Sequence, residues 1–336
     1  MAEDPKKLTD QIERTGTLLA SARQNIAKRI IGQDEVVEQT LITLLSGGHG
    51  LLVGAPGLGK TRLVETLGRV MGLTSNRVQF TPDLMPADIL GSEVLETSEQ
   101  GQRAFRFVKG PVFCQLLMAD EINRASPRTQ SALLQAMQER QVTIAGHEHD
   151  LPVPFHVLAT QNPIEQEGTY PLPEAQLDRF LLQINVSFPE RDTEREILLS
   201  TTGFQEAVAE PVFTPAALIA AQKVVRQMPV GESVVECILD LVRSARPEEP
   251  GASDLVRDAV SWGPGPRAAQ ALMLATRARA LVRDRLAPSI DDVVALAHPV
   301  MRHRMALGFA ALARGEDLGA VISSLVDRIS GKEEAA

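Results

Sequence analysis

The residues best suited to chemistry lie at 54–61, which read Gly-Ala-Pro-Gly-Leu-Gly-Lys-Thr and form a complete P-loop. The glycines let the backbone turn its N–H groups toward an anion, and the helix that follows adds the positive end of its dipole. Lys60 supplies a flexible cation for the β- and γ-phosphates, and the Thr61 hydroxyl suits Mg²⁺. An apolar run at 49–53 and an amphipathic run at 62–67 give the required order of strand, loop and helix. A chance glycine-rich turn is the alternative, and these flanking runs weigh against it.

Two adjacent acids follow a second apolar run. Residues 114–119 read Cys-Gln-Leu-Leu-Met-Ala and lead directly into Asp120 and Glu121, the Walker B pattern. Such a strand delivers Asp120 to the carboxyl edge of a sheet, where it can hold Mg²⁺ directly or through water. Glu121 is then placed to polarise an attacking water molecule. An acidic helix cap is the alternative, and the P-loop upstream weighs against it.

Three further polar residues lie at the ends of predicted strands or helices. Asn162 follows an apolar run at 156–160 and could orient water or contact the γ-phosphate, although Asn-Pro alone is usually a turn. Arg179 precedes another apolar run, and Arg267 follows a proline that favours a helix start. Either arginine could equally be a surface residue, which is the usual place for arginine.

Alternating strands and helices are predicted to position these residues. The candidate strands cover residues 51–53, 77–80, 115–119, 156–160 and 180–186. The third and fourth are almost wholly apolar, as expected for parallel strands covered on both faces. One of the intervening helices begins at Ser126, with Pro127 at its first position. This rhythm predicts a wound α/β domain with a parallel sheet.

The pattern changes near residue 188, after which we recognise no convincing strand. Helices are predicted over residues 215–227, 232–245, 266–285 and 289–304, the last with Ser289 and Asp292 in capping-box spacing. The predicted parts are an N-terminal helical segment (1–29), an α/β core (30–188), a helical domain (189–330) and a tail (331–336). Two hairpins are expected inside the core, near 91–110 with a turn at 98–102 and near 141–152.

Composition narrows the class of protein. The chain has 336 residues and a net charge of −9, and no lysine or arginine block could follow a nucleic-acid backbone. No window approaches about 20 apolar residues, so no membrane span is expected. The N-terminus lacks an apolar signal core, and Cys114 and Cys237 are far apart in sequence. We therefore expect buried thiols and a cytoplasmic protein.

As a set, these motifs resemble those of AAA+ ATPases, specifically the MoxR family. The six matching stretches occur in order at residues 31–33, 54–61, 120–125, 159–163, 172–180 and 266–268. The two hairpins fit the helix-2-insert clade, which also includes magnesium chelatase subunits and the MCM helicases. The resemblance implies a P-loop NTPase AAA+ core with a parallel sheet, followed by a smaller all-α lid domain.

The resemblance also implies ATP and Mg²⁺ as cofactors and a role for each motif residue. Lys60 and Glu121 would be catalytic, and Asn162 would be sensor 1. Arg179 would be the arginine finger that reaches the nucleotide of the neighbouring subunit, and Arg267 would be sensor 2, contacting the γ-phosphate from the lid. The expected metal-binding residues are Thr61 and Asp120. The expected nucleotide-binding residues are Ile31, Gly32, Gly54, Ala55, Pro56, Gly57, Leu58, Gly59, Lys60, Thr61 and Arg62.

The implied function is ATP hydrolysis in a homo-oligomeric ring, with a hexamer as the family expectation. Turnover would drive chaperone-like maturation or activation of client protein complexes, whose members often carry a von Willebrand factor A domain. Two alternatives stay open. One is a nucleic-acid motor of the MCM branch, which the acidic charge disfavours. The other is a scaffold in which ATP mainly switches assembly.

Two weaker signals lie on the expected hairpins. His147 and His149 fall on one side of a strand and could form a metal pair, but two exposed histidines are more often solvated. Phe105 and Phe107 lie in the first hairpin, where they could contact a client or simply pack.

Overall fold

The computed structural model describes residues 5–97, 103–164, 168–202 and 208–331. The expected turn at 98–102 and most of the expected tail, residues 332–336, lie outside the described residues. The strands are, in chain order, β1 (Gly50–Val53), β2 (Ser75–Gln79), β3 (Gly91–Thr97), β4 (Arg103–Lys109), β5 (Leu116–Asp120), β6 (Gln141–Ile144), β7 (His147–Asp150), β8 (His156–Gln161), β9 (Leu182–Asn185), β10 (Val260–Trp262) and β11 (Ala306–Leu307).

The helices alternate with the strands in the first half of the chain and dominate the second half. In chain order they are α1 (Pro5–Ala27), α2 (Asp34–Leu45), α3 (Lys60–Val70), α4 (Pro86–Leu90), α5 (Pro127–Glu139), α6 (Glu174–Leu177), α7 (Arg191–Thr201), α8 (Pro215–Gln227), α9 (Glu232–Ser244), α10 (Asp254–Ala259), α11 (Pro266–Val282), α12 (Ile290–Met301), α13 (Phe309–Ala313) and α14 (Leu318–Ile329). Short 3₁₀ turns occupy Ile122–Arg124 and Arg302–Arg304.

Five strands form the central sheet in the order β2-β5-β8-β1-β9, and every pairing is parallel. The strands β5 and β8 are buried along almost their whole length, because helices cover both faces of the sheet. The two faces belong to separate apolar clusters: Leu158 of β8 packs in one, and Val157 and Ala159 pack in the other. The predicted α/β fold with a parallel sheet is confirmed.

Local signals set the helix boundaries that matter for the site. The Ser126 hydroxyl accepts a hydrogen bond from the Thr129 N–H, and Pro127 occupies the first turn of α5. At α12, Ser289 and Asp292 form the predicted capping box. Both helix starts were predicted from the sequence, and both are confirmed.

The second half of the chain is helical, with one correction. The expectation that no strand follows residue 188 is wrong, because β10 and β11 pair antiparallel, with Val260 opposite Leu307. These strands have three and two residues, so neither is long enough to display an alternating pattern. The helical region packs directly against the sheet: Val293 and Leu296 of α12 share an apolar cluster with Ile184 of β9.

Both expected hairpins are present, as β3–β4 and β6–β7. They contact one another, because the rings of Phe107 and His149 stack with centroids 4.0 Å apart. Phe107 also makes an edge contact with Phe113, whereas Phe105 is 70% exposed. Of the two phenylalanines in the first hairpin, one therefore packs and the other faces solvent.

The predicted N-terminal segment is the helix α1, which packs against α3, α8 and α11 and so contacts both halves of the chain. The domain boundaries at 29, 188 and 330 stay predictions. Cys114 and Cys237 are free and buried, as expected. Within the described ranges, no helix has the length and apolar character that crossing a membrane requires.

Candidate nucleotide site

The P-loop connects β1 to α3 in the conformation that anion binding needs. Gly57 and Gly59 adopt φ values of 83° and 74°, which glycine reaches without steric cost. A Cβ atom at either position would meet no atom within 4 Å, so this part of the loop faces open space. The Lys60 ammonium donates hydrogen bonds to the carbonyl oxygens of Gly54 and, at 3.2 Å, Ala55. The lysine is thus folded back over its own loop.

Close packing fixes the two ends of the loop. A Cβ at Gly54 would lie 2.5 Å from the carbonyl oxygen of Val186, so only glycine fits where the loop leaves the sheet. The Leu58 carbonyl accepts a hydrogen bond from the Gln33 amide at 2.9 Å, which joins the P-loop to the segment containing Ile31 and Gly32. Gly32 has φ +70°, and a Cβ there would lie 1.9 Å from Cγ2 of Thr193.

This contact brings α7 against the expected adenine-binding segment. Gly32 therefore packs against the first turn of α7, and the next residue, Gln33, is bonded to the P-loop, while the predicted adenine contact of Ile31 and Gly32 stays a prediction. Thr61 and Arg62 follow Lys60 in the first turn of α3.

Asp120 ends β5 at the same sheet edge and is 8% exposed. Its Oδ1 accepts a hydrogen bond from the Thr160 hydroxyl at 2.5 Å. Its Oδ2 accepts two from the Arg77 guanidinium, at 2.6 Å from Nη2 and 3.1 Å from Nε. The carboxylate that was predicted to hold Mg²⁺ is therefore paired with an arginine on the neighbouring strand.

Glu121 adopts a left-handed backbone, with φ 54° and ψ 50°, which is uncommon for a residue other than glycine. Its N–H donates to the Thr160 hydroxyl at 2.8 Å, and this bond turns the chain sharply after β5. The Glu121 carboxylate accepts a hydrogen bond from the Gln79 amide at 2.8 Å and forms a salt bridge with Arg124 at 3.1 Å. Neighbouring side chains thus hold the candidate catalytic carboxylate in place.

The charges at this edge act on one another. Burial lowers the pKa of the Lys60 ammonium, and the negative charges of Asp120 and Glu121 act in the opposite direction. Asn162, which follows β8, is 5% exposed, and its side-chain oxygen accepts a hydrogen bond from the Ile164 N–H at 3.1 Å. Parallel strands bring these residues together because their carboxyl ends share one edge.

These residues fit a Mg²⁺-nucleoside triphosphate. The P-loop has glycine backbone that no neighbouring atom covers, and it leads into the start of a helix. Lys60 supplies a cation, which here is hydrogen-bonded to carbonyl oxygens of the loop. The Asp120 carboxylate and the Thr61 hydroxyl are oxygen donors of the kind that Mg²⁺ prefers. Arg77 is 50% exposed at its side chain and has room to move aside.

Arg179 and Arg267 lie at the opposite edge of the sheet. The Leu181 N–H donates to the His49 carbonyl at 2.7 Å, so Arg179 lies beside the residue that precedes β1, whereas the P-loop follows the end of β1. Both arginines line one cavity of about 290 Å³, together with Gly48 and Arg140.

The structure therefore brings together Lys60, Thr61, Asp120, Glu121 and Asn162, and it separates them from Arg179 and Arg267. The four residues of β1 alone account for about 13 Å of that separation, at ~3.3 Å per residue. Within one chain, neither arginine lies at the P-loop edge.

Sequence reasoning missed four residues that contact the predicted ones. Arg77 and Gln79 hold the two acids, while Asp178 and Arg304 lie beside Arg179. No short motif marks Arg77, Gln79 or Arg304, because the partner of each is distant in sequence, whereas Asp178 lies within the matching stretch at 172–180 but was given no role. Strand alternation could have found one pair: Arg77 and Gln79 are two positions apart on β2, so they project from the same side of the strand.

The candidate metal pair has little support from its surroundings. The His149 ring stacks on Phe107, while His147 is exposed at the other end of β7. No group of three or more histidine, cysteine, aspartate or glutamate side chains that could hold a metal ion occurs in the described part of the chain.

Comparison with known proteins gives consistent matches along the chain. Residues 49–182 match the ATPase family associated with various cellular activities (AAA), and residues 252–325 match the AAA lid domain. A chaperone named MoxR1 from Mycobacterium tuberculosis is 45% identical over 86% of this chain and 75% of its own length. The protein MoxR of Paracoccus denitrificans is 33% identical over 89% of this chain and 90% of its own length.

A solved structure extends the similarity to the whole fold. The crystal structure of a candidate ATPase from Cytophaga hutchinsonii superposes with a TM-score of 0.88 and 34% sequence identity, over 96% of this chain and 97% of that one. The likeness therefore covers the sheet, the P-loop and the helical region together.

Proposed function

Because the chain belongs to the MoxR family of AAA+ ATPases, we propose that it hydrolyses ATP with Mg²⁺ in a ring and uses turnover to remodel client protein complexes. One observation carries the proposal. A lysine, two acids and an amide meet at the P-loop edge of the sheet, while two arginines lie at the opposite edge. Such a chain holds a nucleotide site and, separately, the cations that can complete another one.

Each residue at the P-loop edge has a defined task in this proposal. The loop amides and Lys60 bind the β- and γ-phosphates. Thr61 and Asp120 would hold the metal, which when bound would neutralise phosphate charge. Glu121, kept in place by Gln79, orients the attacking water, and Asn162 assists from the end of β8.

The two-edge arrangement supports catalysis between subunits. Arg179 and Arg267 complete a site only when a neighbouring chain presents its P-loop edge to them. Trans-acting arginines are worth ~10³ to 10⁵ in rate, so an isolated subunit hydrolyses ATP slowly. A closed ring gives every subunit such a neighbour. We propose a homo-oligomeric ring, with six subunits as the family expectation.

The remodelling role rests on similarity. The relative from Mycobacterium tuberculosis carries the name chaperone, and this name supports a client-directed role here. We further propose that its client proteins carry a von Willebrand factor A domain and that this protein acts in the cytoplasm. Exposed side chains on the first hairpin, including Phe105 and Leu95, are available to contact a client.

Phosphate release measured against protein concentration tests the ATPase and ring proposals together. We expect Mg²⁺-dependent turnover whose specific activity rises with concentration as subunits assemble. Lys60→Ala should abolish nucleotide binding, whereas Glu121→Gln should bind ATP and lose at least ~100-fold in kcat. A well-folded protein that takes up no Mg²⁺-ATP would refute the proposal.

A second experiment addresses the client. Affinity capture with the Glu121→Gln variant in ATP should retain proteins that the Lys60→Ala variant does not. If the Glu121→Gln variant still performs the cellular task, assembly rather than turnover is sufficient, and the remodelling proposal is wrong.

A further inference from the structure

Arg304 is a charged residue inside the interface between the helical region and the sheet. It lies in the 3₁₀ turn after α12, and its side chain is 2% exposed. Three of its hydrogen bonds reach the carbonyl oxygens of Val300, Phe180 and Leu181, at 2.5, 2.6 and 3.2 Å. All of its donor nitrogens therefore point at its own helix or at the segment that leads into β9.

The charge of Arg304 is matched by Asp178. The guanidinium donates to Oδ1 of Asp178 at 2.7 Å and to its carbonyl oxygen at 3.4 Å. Burial lowers the pKa of Arg304, and the hydrogen bond and charge of Asp178 act in the opposite direction. Removing one partner of such a pair leaves a buried, uncompensated charge, so the two groups stay together.

Asp178 also contacts the second candidate trans-acting arginine. Its Oδ2 lies 3.4 Å from Nη1 of Arg267, in the first turn of α11. The Asp178 carboxylate thus contacts two residues of the lid, Arg267 and Arg304. The residue that follows Asp178 in the chain is Arg179. His303 adds a further tie, because its Nε2 donates to the Phe180 carbonyl at 3.0 Å.

We infer that Asp178 is a positioning residue, which holds Arg267 directly and Arg179 through the backbone, and which Arg304 locks to the lid. A shift of the lid is then passed to the backbone at 178–180, up to Leu181, whose N–H is bonded to the His49 carbonyl at the sheet. The arginines that complete a neighbour's site follow the lid of their own subunit, so lid movement in one subunit sets the rate in the next. This inference rests on the proposed function, and in particular on Arg179 acting in trans.

The polar character of the Arg304 contact indicates positioning rather than stabilisation alone. A purely structural contact between lid and sheet could be apolar, as it is where Val293 and Leu296 pack near Ile184. A buried guanidinium costs free energy to desolvate and adds little net stability compared with an apolar contact. Its planar fork instead fixes the direction of the segment it binds.

The test uses two variants that keep the size of the side chain. Asp178→Asn removes the charge, and Arg304→Lys keeps a charge but cannot reach all five oxygens at once. We expect each to lower kcat by about tenfold to a hundredfold, the scale of a displacement near 1 Å, with the KM for ATP within about twofold of wild type. Arg314→Ala is the matched control, because it breaks an exposed ion pair with Glu316 in the same helical region.

Subunit mixing separates positioning from a general structural defect. Asp178→Asn has an intact P-loop edge and a displaced Arg179. Lys60→Ala has a defective P-loop edge and an intact Arg179. Mixed assemblies of the two should recover activity above either alone. A defect confined to the variant's own nucleotide site would show no recovery.

The outcomes distinguish this inference from the proposed function. If Arg179→Ala and Lys60→Ala recover activity on mixing but neither Asp178→Asn nor Arg304→Lys does, the inference is wrong and the trans mechanism stands. Unchanged kcat in both variants, or failure of both to fold or to assemble with Lys60→Ala, overturns it as well. If no pair recovers, trans catalysis itself is refuted.

Discussion

Arg77 on β2 holds the Asp120 carboxylate of β5 with two hydrogen bonds, both to Oδ2 and at 2.6 and 3.1 Å. The remaining oxygen accepts from Thr160. The pair lies side by side because β2 and β5 are adjacent parallel strands, with Arg77 two residues before the position opposite Asp120. The carboxylate that we propose as a Mg²⁺ ligand is therefore already paired with an arginine.

Replacing Arg77 tests this competition. In the Arg77→Ala variant, Mg²⁺ no longer has to displace a guanidinium, so the Mg²⁺ concentration for half-maximal ATPase activity should fall several-fold. The variant should change the free energy of unfolding by at most about 1 kcal/mol, because Arg77 is half-exposed. Arg106→Ala, which breaks an exposed pair with Glu96, is the control. An unchanged Mg²⁺ titration would show that Arg77 and Mg²⁺ do not compete.

The arginine finger has its own test. Arg179→Ala should bind ATP with nearly wild-type affinity and lose ~10³ or more in kcat, because the missing charge acts on a neighbour's nucleotide. Titrating Lys60→Ala into it at constant total protein should raise the rate, since some interfaces then pair an intact finger with an intact pocket. A rate that stays flat in subunits confirmed to mix contradicts trans action.

Two buried histidines predict a pH dependence of stability. Burial lowers the pKa of His49 to about 3, with the charge of His156 as the next cause. Burial likewise lowers the pKa of His156 to about 4. Arg140 disfavours the charged form of both. The unfolded chain, with histidines near ~6.5, therefore binds more protons than the folded chain as the pH falls below that value.

Stability should accordingly be complete above pH ~6.5 and should fall as the pH drops toward 4, by about 1.4 kcal/mol per pH unit for each histidine. His156→Gln removes one titrating group and should flatten the slope by that amount in urea titrations between pH 6 and 4.5. Exposed His147→Gln is the control and should leave the slope unchanged. Equal slopes in all three proteins would exclude His156 as a cause.

Asp292 in the lid gives a stability prediction. Burial alone would raise the pKa of this carboxyl, but hydrogen bonds from Arg285, Ser289 and Arg279 hold it below its usual range. Asp292→Asn leaves Arg285 without its anion and leaves Arg279 paired only with Glu38, at 3.2 Å, so it should cost about 3 kcal/mol in the free energy of unfolding. Urea denaturation at pH 7 measures this, with exposed Asp291→Asn as the control. A loss no larger than that of the control would show that water compensates both arginines.

The sequence predicted the parts of the site that are coded locally. The P-loop, the acids after β5 and the Ser126 cap each depend on residues within a few positions, so spacing alone located them. Their meeting at one sheet edge follows from the parallel strand order.

What sequence reasoning missed depends on distant partners. Arg77 meets Asp120 across 43 positions, and Arg304 meets Asp178 across 126. An arginine in a single sequence gives no sign of being buried, because most arginines are exposed. The strands β10 and β11 were not predicted for a different reason, because segments this short form only when tertiary pairing supports them.

The separation of Lys60 and Arg179 across the length of β1 has a consequence for how such an enzyme behaves in a cell. Under the proposed mechanism, each polypeptide contributes halves to two different catalytic centres and completes neither. Dilution would then silence the enzyme without any inhibitor, and a copy defective in both halves would disable the centres on both of its sides. Abundance and subunit purity then become regulators in their own right.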